Sequence, residues 1–359
     1  MVIFVLAATG VLLTYERQII AAAEAALVTD IEGDRLTADQ LVVLAQEIGG
    51  ESATVRIPAS TNDPVKVLAA GEQTLLHPVT GSTLLVGPTS AAKVFETITL
   101  VHRWLAPTSA AHPLGKSVTN IATLLFIFLA MSGLYLWTTP VFRWAILKSK
   151  LKLNLRPPTA KARDYNWHHV FGFWMFVPIL VMSVTGTVIA YAWANALVFA
   201  AFGEAPQSLR APRVERAGVQ LMEVPVDAVS LQRRLEEAAT RVANWNTITL
   251  PAYANLAEPT PYDIDYGNGA QPHRRLRVVV SPQGGVIEQT ETFRERSAGT
   301  RARLIIRFLH TGEVLGLIGQ TLAGLGSLAT LVCPHESGPL FELVPASDME
   351  LRHGQEINA

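Results

Sequence analysis

Histidine is the residue through which this chain could do metal or electron chemistry, and four of its nine histidines sit where apolar runs begin: His102, His310, His168 and His169. A neutral imidazole offers one strong ligand nitrogen. Two imidazoles on facing helices can fill both axial positions of a haem iron, an arrangement that suits electron transfer because no position remains open for oxygen. Alone, any one of these residues would read as an interfacial histidine with a wet tip. Their pairing by side and by position in the chain points to ligands instead. His77, His112 and His273 fall in loop-like sequence and read as ordinary polar side chains. The single cysteine, Cys333, excludes an intrachain disulfide and any cysteine-based zinc or iron–sulfur site.

The elements that must position these histidines are apolar. The chain has 359 residues, 49% hydrophobic and only 16% charged, with a mean hydropathy of +0.27. That balance is too apolar for an ordinary soluble enzyme. A bilayer core about 30 Å thick needs roughly 20 apolar residues per helical span. Runs of that kind cover residues 117–137, 170–194 and 314–332, the last rich in glycine and small residues that let helices approach closely. Another run, 2–15, is short: about 14 residues reach only about 21 Å at a 1.5 Å rise. Met1 is followed directly by Val2, Ile3 and Phe4 without a basic segment, so this run reads as part of a span rather than a signal sequence. A formal net charge of −1 gives no reason to expect nucleic acid as a partner.

Arg143, Lys148, Lys150, Lys152, Arg156, Lys161 and Arg163 stand against one acid, Asp164, between the second and third runs. The positive-inside rule makes this loop cytoplasmic and places the long polar segments, about 17–113 and 196–308, outside. Both segments show the same order. Thr37 can cap a helix with apolar positions Leu41, Val42, Leu44, Ala45 and Ile48, followed by β-rich runs at 54–57, 65–68 and 84–86. A helix at 229–242 is followed by runs at 247–250, 262–266 and 276–280. Each segment closes on an apolar stretch with one histidine, His102 or His310, so the chain reads as a duplicated unit. The runs share a second signature of hydroxyl, glycine and a later aromatic: Thr9, Gly10 and Tyr15; Ser132, Gly133 and Trp137; Thr185, Gly186 and Tyr191. It reads first as helix packing with an interfacial aromatic anchor, and glycine there would also admit a flat cofactor.

The stretch Asn166-Trp167-His168-His169-Val170-Phe171-Gly172-Phe173-Trp174, running on to Thr185-Gly186, resembles the PepSY-associated transmembrane helix family. Leu309-His310-Thr311-Gly312-Glu313-Val314-Leu315-Gly316 does too, and Val101-His102-Arg103-Trp104-Leu105 is similar to the equivalent segment of the first half. The resemblance implies a membrane all-α fold: a four-helix transmembrane bundle, its first span truncated, with two α+β PepSY-like periplasmic domains. The expected parts are a truncated span 1–16, a periplasmic domain 17–113, a span 114–138, a basic cytoplasmic loop 139–166, a span 167–195, a second periplasmic domain 196–308, a span 309–332 and a divergent polar tail 333–359.

The resemblance further implies an inner-membrane protein, both termini cytoplasmic, that uses haem b to pass electrons across the membrane and reduce a ferric siderophore or other iron chelate. Its expected partners are membrane lipid, the chelate and a cytoplasmic electron donor such as a flavin reductase. His168 lies 18 residues before Gly186, and the repeat puts the equivalent first-span histidine upstream of Met1. One haem, at His102 and His310, is therefore expected here and two in an intact relative. Reading the tail after Val332 as divergent follows from Cys333-Pro334-His335-Glu336, where proline stops the helix. The competing expectation is a non-enzymatic membrane protein whose external domains bind or restrain an exported protein.

Overall fold

The structure, a computed structural model, describes residues 1–29, 32–106, 113–138, 148, 150–207 and 224–332. His112, Arg143, Cys333 and the expected tail lie outside the described residues. In chain order the helices are α1 (Val2–Leu13), α2 (Glu16–Ala25), α3 (Ala38–Gly49), α4 (Ser90–Trp104), α5 (Pro113–Thr138), α6 (Ala160–Trp174), α7 (Phe176–Ala190), α8 (Ala192–Ala200), α9 (Leu231–Ala239), α10 (Ala298–His310) and α11 (Gly316–Val332). The strands are β1 (Thr54–Pro58), β2 (Val65–Ala69), β3 (Glu72–Leu76), β4 (Thr83–Val86), β5 (Thr247–Pro251), β6 (Thr260–Asp265), β7 (Arg275–Val280) and β8 (Val286–Thr290).

The expected all-α bundle with two separate external domains is wrong. All eight strands form a single antiparallel sheet in the order β4-β3-β2-β1-β5-β6-β7-β8, and the molecule is a mixed fold of helices and sheet. The seam is β1 against β5, with Val55 opposite Leu250 and Ile57 opposite Ile248. Each half alone would leave an apolar edge strand open, and pairing the two edges satisfies both backbones. α3 and α9 cover one face, where Val55, Val67, Ile248, Leu250, Tyr262, Ile264, Val278 and Val280 are all 0–1% exposed. Their N-termini are tied reciprocally. Asp39 accepts from the backbone N–H groups of Leu231 and Gln232, and the Gln232 side chain accepts from that of Ala38. On the opposite face the ladder lines up Lys66, Arg56, Thr249, Asp263 and Arg277 in one row across five strands.

Capping follows the local sequence. Thr37, Thr89, Ser230 and Ser297 each accept a backbone N–H in the first turn of α3, α4, α9 and α10, and Gln40 completes a capping box at Thr37.

The membrane elements are less regular than the apolar runs implied. Among the described residues two helices are long and apolar enough to cross a bilayer, Pro113–Thr138 and Glu313–Val332; the total reaches four if each of two bent pairs counts as one span. The first pair, α1 with α2, bends by 40°. There Gln320 of α11 donates to the carbonyl of Thr14 at 3.1 Å, giving the interrupted backbone a partner. The second, α6 with α7, bends by 63° within the run expected as a single third span. Pro178, in the first turn of α7, brings no N–H and crowds the carbonyl four residues earlier, which accounts for the break.

Candidate functional site

The two halves of the chain place their histidines in matching surroundings. α4 packs on α1 and α10 packs on α7, so each histidine helix lies against the helix with its half's Thr-Gly pair. Thr9 Oγ1 lies 2.8 Å from His102 Nδ1, and Thr185 Oγ1 lies 3.2 Å from His310 Nδ1. Gly186 makes room for the ring, since a Cβ there would stand 3.1 Å from His310 Cε1; a Cβ on Gly10 would crowd Ser327 Oγ at 3.0 Å and stand at an ordinary 3.9 Å from His102 Cε1. The third copy of the signature differs, because nothing lies within 4 Å of a Cβ built on Gly133.

These contacts assign the tautomer. The Met182 carbonyl, 2.8 Å from His310 Nδ1, can only accept, so Nδ1 carries the proton. The Thr9 hydroxyl directs its own hydrogen to the Val5 carbonyl at 2.7 Å and is left to accept from His102 Nδ1. A neutral imidazole with its proton on Nδ1 keeps a lone pair on Nε2. An acceptor bonded to the other ring nitrogen is the arrangement that orients an imidazole as a metal ligand.

The rings face one another across the two halves, with centroids 6.4 Å apart and planes tilted by 58°. Two imidazoles that share one metal ion from opposite sides, each nitrogen about 2 Å away, have ring centres roughly 6 Å apart. No group of three or more His, Cys, Asp or Glu side chains is gathered for a metal ion among the described residues. The pair could supply two ligand atoms, the number left to a protein when a macrocycle fills the other four positions of an iron.

Both histidines line a cavity of about 1680 Å³ that extends from Gly10, Gly186 and Ser327 up to the row Lys66, Arg56, Thr249, Asp263 and Arg277 on the sheet. The turn after His310 closes this region. Gly312, at φ 74°, starts it, and Glu313 reaches back to Arg17 at 2.5 Å and to the Thr311 hydroxyl at 2.8 Å.

A family model described as PepSY-associated TM region matches residues 1–337. The chain belongs to that family. It is a membrane protein, in agreement with its apolar helices. Comparison with curated proteins finds no match.

In this member of the PepSY-associated TM region family, His168 and His169 stand apart from the facing pair. They lie on α6, beyond the bend from the helix that carries Thr185, and their rings meet edge to face at 6.0 Å. His169 Nδ1 bonds to the Tyr165 carbonyl at 2.9 Å, and its ring stacks near Tyr165 at 4.1 Å. His77 is structural: its Nδ1 accepts from the N–H groups of Val79 and Thr80, and its Nε2 donates to the Thr29 carbonyl. The orienting roles of Thr9, Thr185 and the Met182 carbonyl were not evident beforehand. The hydroxyl–glycine repeat was their signal, and it read first as helix packing.

Proposed function

We propose that this protein holds a b-type haem between His102 and His310 in the bacterial inner membrane and passes electrons outward to a ferric chelate. The observation that carries this reading is the facing pair, each Nδ1 fixed by a hydrogen bond that leaves the lone pair on Nε2, with ring centres 6.4 Å apart. When bound, haem supplies a reversible one-electron iron couple. The chain's own residues do the rest: Thr9, Thr185 and Met182 hold the imidazoles in the ligating tautomer, and Gly186 leaves room for the His310 ring.

The basic residues between positions 143 and 163 make 139–166 the cytoplasmic loop, with both termini on that side. His168 and His169, next to that loop, then stand where electrons enter from a cytoplasmic donor. The segments 17–113 and 196–308, joined in one sheet, form the external part, and the cavity beneath its charged face is the place for the chelate. Hard oxygen ligands favour ferric over ferrous iron, so reduction loosens the chelate.

The test uses spheroplasts expressing the chain and given an impermeant ferric hydroxamate. Ferrous iron should appear outside at a rate that falls at least tenfold with His102→Ala or His310→Ala. An unchanged rate in both variants would contradict the reading.

A further inference from the structure

Arg303 is a buried cation without a counter-ion among the described residues. It is 9% exposed and lines the same cavity as the histidine pair. Its Nε donates to Asn195 Oδ1 at 2.6 Å, while Nη1 is buried with no hydrogen-bond partner. Leaving a guanidinium N–H unpaired away from water is costly, so native structures rarely keep one without a ligand or partner. Of the six carboxylates that line the cavity, Glu24 faces Lys66, Asp263 faces Arg277, Asp265 faces Arg275 and Glu313 faces Arg17, and Glu16 and Glu72 form no ion pair with Arg303 among the described residues.

Position within the helix relates Arg303 to the histidine. Arg303 precedes His310 by seven residues, two turns of α10, so both lie on one face with about 10.5 Å of rise between them. Arg307, one turn from Arg303 toward the histidine, also lines the cavity and has no ion-pair partner among the described residues. A planar guanidinium on a buried wall is matched by a planar two-oxygen anion.

We propose that Arg303, with Arg307, binds a carboxylate inside this cavity. The carboxylate has two possible carriers: an arm of the macrocycle held at His102 and His310, in which case the inference rests on the reading above, or a free carboxylic acid.

The full chain in detergent, loaded with haem or with haem dimethyl ester, is mixed with excess apomyoglobin and pigment loss is timed. If the macrocycle carries the carboxylate, the ester should leave the wild-type chain at least about tenfold faster than haem. Arg303→Met should remove that difference, and Arg303→Lys should restore part of it. The ester comparison is made on the wild-type chain, so it stands even if a variant folds poorly. In a second arm citrate is added to the pigment-free chain. A rise in melting temperature in wild type but not in Arg303→Met identifies a free acid as the carrier, and this arm reads out even if the chain holds no haem. Equal loss of haem and ester, together with no Arg303-dependent effect of citrate, would overturn the proposal.

Discussion

At the scale of single residues, the proposed haem site rests on small groups beside the rings as much as on the rings. Thr9 and Thr185 are each about 6–8% exposed and lend an oxygen to a histidine in the other element of the pair. Gly186 offers the sharper test, because a Cβ there would stand 3.1 Å from His310 Cε1, closer than ordinary contact, and the ring would have to shift by a few tenths of an ångström. Gly186→Ala should weaken pigment retention several-fold, whereas Gly133→Ala, with open space around it, should leave it unchanged. Pigment loss timed in both variants checks this, and equal behaviour would mean that Gly186 serves only packing. The four histidines stood out in the sequence because imidazole next to an apolar run is a local pattern, but the facing of His102 and His310, with His168 and His169 apart from them, is a matter of the fold. Arg303 was not, since its meaning depends on which carboxylates fold elsewhere.

At the scale of elements, what could be read in advance was what is short-range. Thr37 as a cap, the helix over Leu231–Ala239 and the strands around Val55, Val67, Ile248 and Val278 all follow from capping chemistry and period-two alternation. β3 and β8 were missed: Glu72, Gln73 and Thr74 in one, and Glu288, Gln289 and Thr290 in the other, carry little apolar signal. The seam was missed for a different reason. Strand patterning shows that a strand exists and not which distant strand it joins, and β1 and β5 are nearly 190 residues apart. Ile248, fully buried at that seam, should cost about 3 kcal/mol when cut to alanine. Hydrogen exchange should then quicken in β1 and β2 as well as in β5 and β6. Loss of protection confined to β5–β8 would show two independent halves.

α10 carries a pH dependence of its own. Glu204 accepts from Ser297 Oγ at 2.5 Å and from the Gly299 N–H at 3.1 Å, and these bonds to the helix N-terminus hold its carboxyl below the usual range. A depressed folded value means that the stabilisation is complete above the unfolded pKa of about 4.3 and is lost as pH falls through the lower folded one. The melting-temperature gap between wild type and Glu204→Gln should therefore be steady above about pH 5 and close below about pH 4. A gap that does not change with pH would remove the cap from the account.

At the scale of the whole molecule, the duplication is expressed twice, in a sheet nearly symmetric about β1 and β5 and in a histidine pair drawn one from each half. The cavity lies between these two features, lined by the charged sheet face on one side and by α1, α4, α7 and α10 on the other. Membership of the PepSY-associated TM region family agrees with the apolar helices, while the proposed haem site rests on the geometry of His102 and His310. The most direct test is the pyridine haemochrome and low-temperature electron paramagnetic resonance of the purified chain. The wild type should carry about one low-spin haem with two imidazole ligands. His102→Ala and His310→Ala should each abolish that signal, while His77→Ala keeps it. A low-spin haem retained in both ligand variants, or no haem in the wild type after reconstitution, would contradict the central claim.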